Sequence, residues 1–198
     1  MIINKGGTTR FRPLDEISFL LRKVVVMMSE PKLVFPDYCH QQAMEEYARE
    51  SKRMDSGPLQ GVGFYEKYQD DFENWVKKEK KMHLGIELEP GIVPGTTYFY
   101  IRDDEIIGCI NIRHCLNDYL LDIGGHIGYS VAPKYRKQGY ATQMLNEALA
   151  FCKKWEIWPV LVTCDEDNIG SRKTIEKCGG VFDNKYRDTL RYWIGEEQ

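Results

Sequence analysis

Residues 133–145, PKYRKQGYATQML, set a group of cations directly before a glycine and the start of an apolar pattern. In the continuation ATQMLNEALAFCKKW, Ala141, Met144, Leu145, Ala148 and Cys152 fall at i, i+3, i+4, i+7 and i+11, which predicts a helix beginning within a residue or two of Gly139. Its first turn then spans Gln138, Gly139, Tyr140, Ala141 and Thr142. The first four amides of a helix have no internal partner and carry the positive end of its dipole, so an anion is stabilised there. Gly139 has no Cβ and lets a ligand come close to the backbone, while Arg136 and Lys137 add full charges. The chemistry these residues predict is a cradle for a pyrophosphate. Taken alone, R-K-Q-G-Y-A reads more simply as a turn glycine in a solvated cationic loop, because short glycine motifs recur by chance. Context reverses that preference: the motif follows a strand, opens an amphipathic helix and precedes a second strand and an N-x-x-S helix start.

The elements that must position this cradle follow from periodicity. After Pro36, DYCHQQAMEEYARESKRMD carries Tyr38, Ala43, Met44 and Tyr47 at helical steps, and SGPLQGVG interrupts it. A second helix is predicted over YEKYQDDFENWVKKEKK, with Tyr65, Tyr68, Phe72, Trp75 and Val76 on one face and a solvated charged face opposite. Beyond the loop ELEPGIVPG the period drops to two, and TTYFYIR and IIGCINIRHCL form a hairpin turning at Asp103-Asp104. HIGYSVAP is a further strand, the helix runs through Trp155, PVLVTCD is a short apolar strand, and NIGSRKTIEKC is a helix. VFDNKY and LRYWIG close the chain as paired strands. Gly179 suits a left-handed helix cap before that pair. Helices, antiparallel strands and a strand-helix-strand-helix unit together predict an α+β fold with a mixed sheet.

At 198 residues and 42% hydrophobic, the chain has enough sequence for one well-buried core. Residues 28–198 are read as that single domain, and residues 1–27 as an N-terminal extension whose apolar runs ISFLL and VVVMM also suit a strand or arm. The net charge of −3 sets up no basic field, which argues against nucleic acid and for a small substrate. Cys39, Cys109, Cys115, Cys152, Cys164 and Cys178 stand singly among apolar residues and read as reduced core thiols. The four histidines, His40, His83, His114 and His126, are scattered, so no metal is predicted. No apolar run approaches the ~20 residues that span a bilayer, so a soluble, cytoplasmic protein without membrane contact is expected.

HIGYSVAPKYRKQGYATQML followed by VLVTCDEDNIGSRKTIEKCGG resembles the core of the GNAT family of N-acetyltransferases, from about Gly125 to Gly180. The resemblance implies a mostly antiparallel mixed sheet flanked by helices, with a splayed strand pair that binds acetyl-CoA. It implies that Arg136, Lys137, Gln138, Gly139, Tyr140 and Ala141 are the motif that binds the pyrophosphate through main-chain amides, the same six residues reached from the helix start. It further implies that Ser130 and Val131 offer their backbone to the pantetheine arm, which requires a split sheet, since strands normally spend those groups on each other. Asn168 matches an asparagine that meets the coenzyme, and it equally suits a helix N-cap. Ser171 matches a position near the coenzyme's distal half, and it equally suits an exposed helical serine.

Acetyl transfer needs an unprotonated amine, a stabiliser for the tetrahedral oxyanion and a proton donor for the departing thiolate. Many members of the family supply that donor from a tyrosine on the last helix, where this chain has Thr174-Ile175-Glu176. His126 stands where one branch of the family carries a glutamate facing the amine, and an unperturbed imidazole with a pKa of ~6.5 suits a general base. The alternatives are a structural histidine there, or a carboxylate such as Asp122 unless that residue only makes a turn. Ser130 shares the His126 face of its strand, and Tyr129, on the other face, reads as a core aromatic. The expected function is direct acetyl transfer, in a ternary complex, from acetyl-CoA to a primary amine of a small molecule or peptide. The alternative is a non-catalytic acyl-CoA-binding or sensing module. Homodimerisation is left open, and the first two helices carry no legible acceptor code.

Overall fold

The computed structural model describes residues 29–195. The extension expected over residues 1–27 lies outside them. Seven strands form one sheet in the order β1-β2-β3-β4-β5-β7-β6. They are β1 (Lys32–Val34), β2 (Gly95–Arg102), β3 (Glu105–Arg113), β4 (Ile127–Val131), β5 (Val160–Asp165), β6 (Gly180–Tyr186) and β7 (Thr189–Ile194). Every neighbouring pair is antiparallel except β4 and β5. Four α-helices flank it: α1 (Gln41–Met54), α2 (Phe72–Leu84), α3 (Tyr140–Lys154) and α4 (Ile169–Lys177).

The β2–β3 hairpin turns at Asp103 and Asp104, whose φ angles of 49° and 64° match the right-handed twist of the strands they join. Both strands are buried along most of their length because helices cover both faces of the sheet. On one face Tyr100, Ile110, Ile112 and Ile127 pack with Met144, Leu145 and Ala148 of α3. On the other, Phe99, Ile101 and Cys109 pack with Met44 and Tyr47 of α1 and with Trp75 of α2, whose indole stacks on Phe99 at 5.7 Å.

Two expectations need correction. The second helix does not start at Tyr65: a single 3₁₀ turn, Tyr65–Lys67, is followed by α2 from Phe72. Asp71 is the reason, since its side chain accepts the Asn74 N–H at 3.2 Å and so caps a new helix. Tyr65, Phe72, Trp75 and Val76 are nevertheless buried in one cluster. Of the six cysteines, Cys39 and Cys115 are exposed rather than in the core; all are free thiols. Strand β1 and a π-helical turn at Leu120–Gly124, which contains Asp122, carry too few residues to show a period. Gly179 takes φ 89° after α4, the left-handed cap its position suggests.

The one parallel pair positions the site. Between β4 and β5 a single register pair, Ile127 with Val162, is present. Each strand keeps its outer partner, β4 on β3 as far as Val131 and β5 on β7 as far as Asp165, so the facing edges diverge beyond that pair. Backbone groups on those edges are left without a strand to bond.

Candidate active site

A cleft of about 710 Å³ opens at the divergence. It is walled by the end of α1 and the loop after it, by β4, by the start of α3 and by the start of α4. Ser130, Val131, Arg136, Lys137, Gly139, Tyr140, Ala141, Thr142, Asn168 and Ser171 all line it, although up to 41 residues separate them in sequence. Gln138 does not: its side chain turns back to donate to the Lys134 carbonyl at 2.8 Å.

Helix α3 starts at Tyr140, and Gly139, at φ 89°, precedes it with no side-chain cap. The Gln143 N–H donates to the Gly139 carbonyl at 3.1 Å, whereas the N–H groups of Gly139, Tyr140, Ala141 and Thr142 have no acceptor among the described residues. Lys137 also sits in the left-handed region, at φ 60°, so the loop backbone curls its amides toward one concave side. A Cβ on Gly139 would meet nothing within 4 Å, so the space in front of these donors is open. Backbone donors that face open space in this way suit an anion.

Two cationic side chains of this loop, Arg136 and Lys134, are paired with carboxylates. The Arg136 guanidinium forms a bidentate pair with Asp55, at the end of α1, and its Nε donates to the Val131 carbonyl at 3.0 Å. Lys134 pairs with Glu50 and Glu105. Hydrogen bonding from Arg136 holds the Asp55 carboxyl below the usual range. These ion pairs tie the loop to its surroundings, while Arg136 also lines the cleft. Sequence reading missed Asp55, because nothing in the SKRMD helix end marks a partner 81 residues away.

Asn168 caps α4, its Oδ1 accepting the Ser171 N–H at 3.0 Å, while also facing the cleft. Tyr129, read from sequence as a core aromatic, packs its ring against the core and projects its hydroxyl to the cleft, 2.9 Å from Ser171 Oγ. Burial pushes its phenol up to about 12, so it stays protonated at neutral pH. On the opposite face of β4, Ser130 Oγ bonds the Tyr47 hydroxyl at 2.7 Å and donates to the Gln60 carbonyl. That serine locks the loop after α1 onto the strand.

His126 is 8% exposed and absent from the lining of the cleft. Its backbone N–H donates to the Leu161 carbonyl at 2.7 Å, and its Nδ1 accepts the Leu161 N–H at 2.9 Å. Burial, with the nearby charge of Arg113, pushes its pKa down to about 4. The imidazole thus replaces a strand acceptor at the apex of the divergence, and the geometry gives the general-base expectation no support. Asp122 lies in the π-helical turn and likewise does not line the cleft.

Beneath the loop after α1 lies a second polar group. Glu79 of α2 is 1% exposed, and its Oε2 accepts from Thr97 Oγ1 at 2.5 Å, which in turn accepts from Asn111 Nδ2 at 3.0 Å. Its Oε1 has no well-formed hydrogen bond. Burial raises the carboxyl to about 7. Among the described residues there is no cluster of three or more metal-ligating side chains, and no helix is long and apolar enough to cross a membrane.

A mixed sheet with one splayed parallel pair and an unpaired helix start in the split defines an acetyl-transferring fold. The sequence pattern of the Acetyltransferase (GNAT) family matches residues 59–180, and the chain belongs to that family. The uncharacterized N-acetyltransferase YjdG of Bacillus subtilis (strain 168) is 28% identical over 69 residues, which is 34% of this chain and 40% of that protein. The match therefore spans less than half of that relative. The ribosomal L7/L12 alpha-N-protein acetyltransferase RimL, in complex with coenzyme A, superposes with a TM-score of 0.61 at 14% identity, over 83% of this chain and 93% of its own. The microcin C7 self-immunity acetyltransferase MccE, in complex with acetyl-CoA and AMP, gives a TM-score of 0.61 at 12% identity, over 85% and 93%. At these identities the likeness is one of fold.

Proposed function

We propose that this chain transfers the acetyl group of acetyl-CoA directly to a primary amine of a small molecule or peptide within a ternary complex. The observation that carries this reading is the row of free amides from Gly139 to Thr142, facing the cleft where β4 and β5 part. The amides suit a pyrophosphate, and the divided strand edges suit the amide groups of a pantetheine arm. Both the RimL and MccE structures hold the coenzyme or its acetyl ester, in keeping with that fit.

In the reaction the amine nitrogen attacks the thioester carbonyl, a C–N bond forms, the C–S bond breaks, the nitrogen gives up a proton to solvent, and the thiolate takes a proton. Tyr129 and Ser171 present paired hydroxyls in the cleft and serve as the donors to that thiolate, in place of the tyrosine absent from α4. His126 acts as a positioning residue that holds the apex of the split.

Acetyl-CoA is expected to raise the melting temperature, since a ligand bound by the native state alone stabilises it by roughly 2.7 kcal/mol at a hundred times its Kd. CoA release is then measured against polyamines, amino acids, aminoglycosides and peptides. Thiol release with one of these classes supports the enzyme. A stabilised protein that releases no thiol with any of them is a sensing module, and an unchanged melting temperature removes the coenzyme site itself.

A further inference from the structure

Arg113, the last residue of β3, is a half-buried cation whose charge is not matched by a carboxylate among the described residues. Its Nη1 donates to the carbonyls of Gly124 and Gly125 at 2.8 and 3.1 Å. Among the described residues the remaining guanidinium N–H groups have no acceptor. A cation taken out of water without an opposing charge is costly, so a fold that keeps one gains most when an anion arrives.

The surroundings of the guanidinium say where such an anion would sit. A Cβ built on Gly128 would lie 3.5 Å from Arg113 Nη2, 3.8 Å from Nη1 and 3.8 Å from the Gly61 nitrogen. Gly61 is buried, and its N–H makes no hydrogen bond with the described residues. It is also fixed in place: at φ 74° it packs so closely that a Cβ there would lie 2.5 Å from the Cys109 carbonyl oxygen. A charged donor and a rigid backbone donor therefore border the same small space, which exists because residue 128 has no side chain. Gly128 precedes Ser130 by two residues on the same face of β4, roughly 7 Å along the strand. Ser130 lines the cleft, and Arg113, Gly61 and Gly128 lie just beyond that lining.

We propose that Arg113 and the Gly61 N–H form a subsite over Gly128 for a carboxylate carried by the acceptor amine. The acceptor is then an amino acid or a peptide with an acidic first residue. This rests on the acetyl-transfer reading above. Charge-assisted hydrogen bonds from a half-buried guanidinium select a carboxylate over its neutral amide by about tenfold or more.

The test compares amines that differ only there: free amino acids against their amides, and peptides beginning with Asp or Glu against those beginning with Asn or Gln. The full chain is used, with CoA release as readout. The acid member of one set is expected to have about tenfold or more higher kcat/KM, through KM, and which set responds distinguishes a free amino acid from a peptide side chain. Gly128→Ala puts a methyl group into the subsite at ordinary contact distance from its neighbours, so the fold tolerates it. It should bring the acid and amide to near equality while the acetyl-CoA Kd is unchanged, and Arg113→Gln should do the same. Equal turnover of acid and amide, or a preference that survives both variants, overturns the subsite. If no amine reacts, the same pairs are titrated calorimetrically into the protein with and without CoA. Acid-selective binding abolished by Gly128→Ala upholds the subsite, and its absence overturns it. Failure of acetyl-CoA itself to bind overturns the acetyl-transfer reading instead.

Discussion

The two sides of β4 are built from different materials. On the α3 side, the proposed cradle consists of backbone: four amides from Gly139 to Thr142, contributed by consecutive residues. On the α1 and α2 side, the features that could select an acceptor are side chains and single amides from Gly61, Glu79, Thr97, Asn111 and Arg113, spread over 53 residues. A main-chain site needs a helix start and a glycine in fixed order, so it is written in adjacent letters. A side-chain site needs atoms that meet only when the sheet and both helices are in place.

The sharpest way to break this comparison is at Gly139. Gly139→Val should abolish the thermal shift with acetyl-CoA, because a β-branched residue is strained at φ 89° and its branches fill the open space before the amides. If Gly139→Val binds acetyl-CoA normally, the cradle is not made from this backbone.

The side-chain half is probed at Glu79 by stability against pH. The folded carboxyl titrates at about 7 and the unfolded one at 4.5, so between those values the folded state holds the extra proton. Stability should therefore fall as pH rises through that window, by roughly 3 kcal/mol in all for this group. Glu79→Gln, which stays neutral, should remove that decline in thermal melts from pH 4.5 to 8 and leave acetyl-CoA binding intact. A decline that persists unchanged in Glu79→Gln would assign it to another group.

The smallest effect is expected where the two halves are joined. Asp55→Asn unties the Arg136 pair, in which both side chains are more than 40% exposed, so the stability loss should stay under about 1 kcal/mol. Removing that negative charge from the cleft should tighten acetyl-CoA binding about threefold, measured by calorimetry at low and high salt. Weaker binding would show instead that the pair holds the cradle loop in shape.

Much of the fold was legible in the sequence. The β2–β3 hairpin, β4, α3, β5, α4 and the closing strands all carried clear periods or turn residues, and the Asp103-Asp104 turn fell where two consecutive aspartates interrupt apolar alternation. The break before α2 was not, because the apolar spacing of Tyr65, Phe72 and Trp75 suits one burial face whether or not the helix is continuous. Hydrophobic period reports which residues are inside; a single capping aspartate decides where the helix begins.

The sequence by itself marked the start of α3 and the glycine before it, since a helix start and its unpaired amides are properties of one short segment. Tertiary structure alone decided what the side chains do. His126 looked like a base by its place on a strand, and the fold turned its Nδ1 to the Leu161 N–H at the apex of the split. Arg136 looked like a phosphate ligand, and the fold gave it Asp55. Tyr129 looked like core, and the fold carried its hydroxyl to Ser171. A backbone donor's direction is set by local φ and ψ, whereas a side chain's partner is whichever distant residue the packing of sheet and helices brings within about 3 Å.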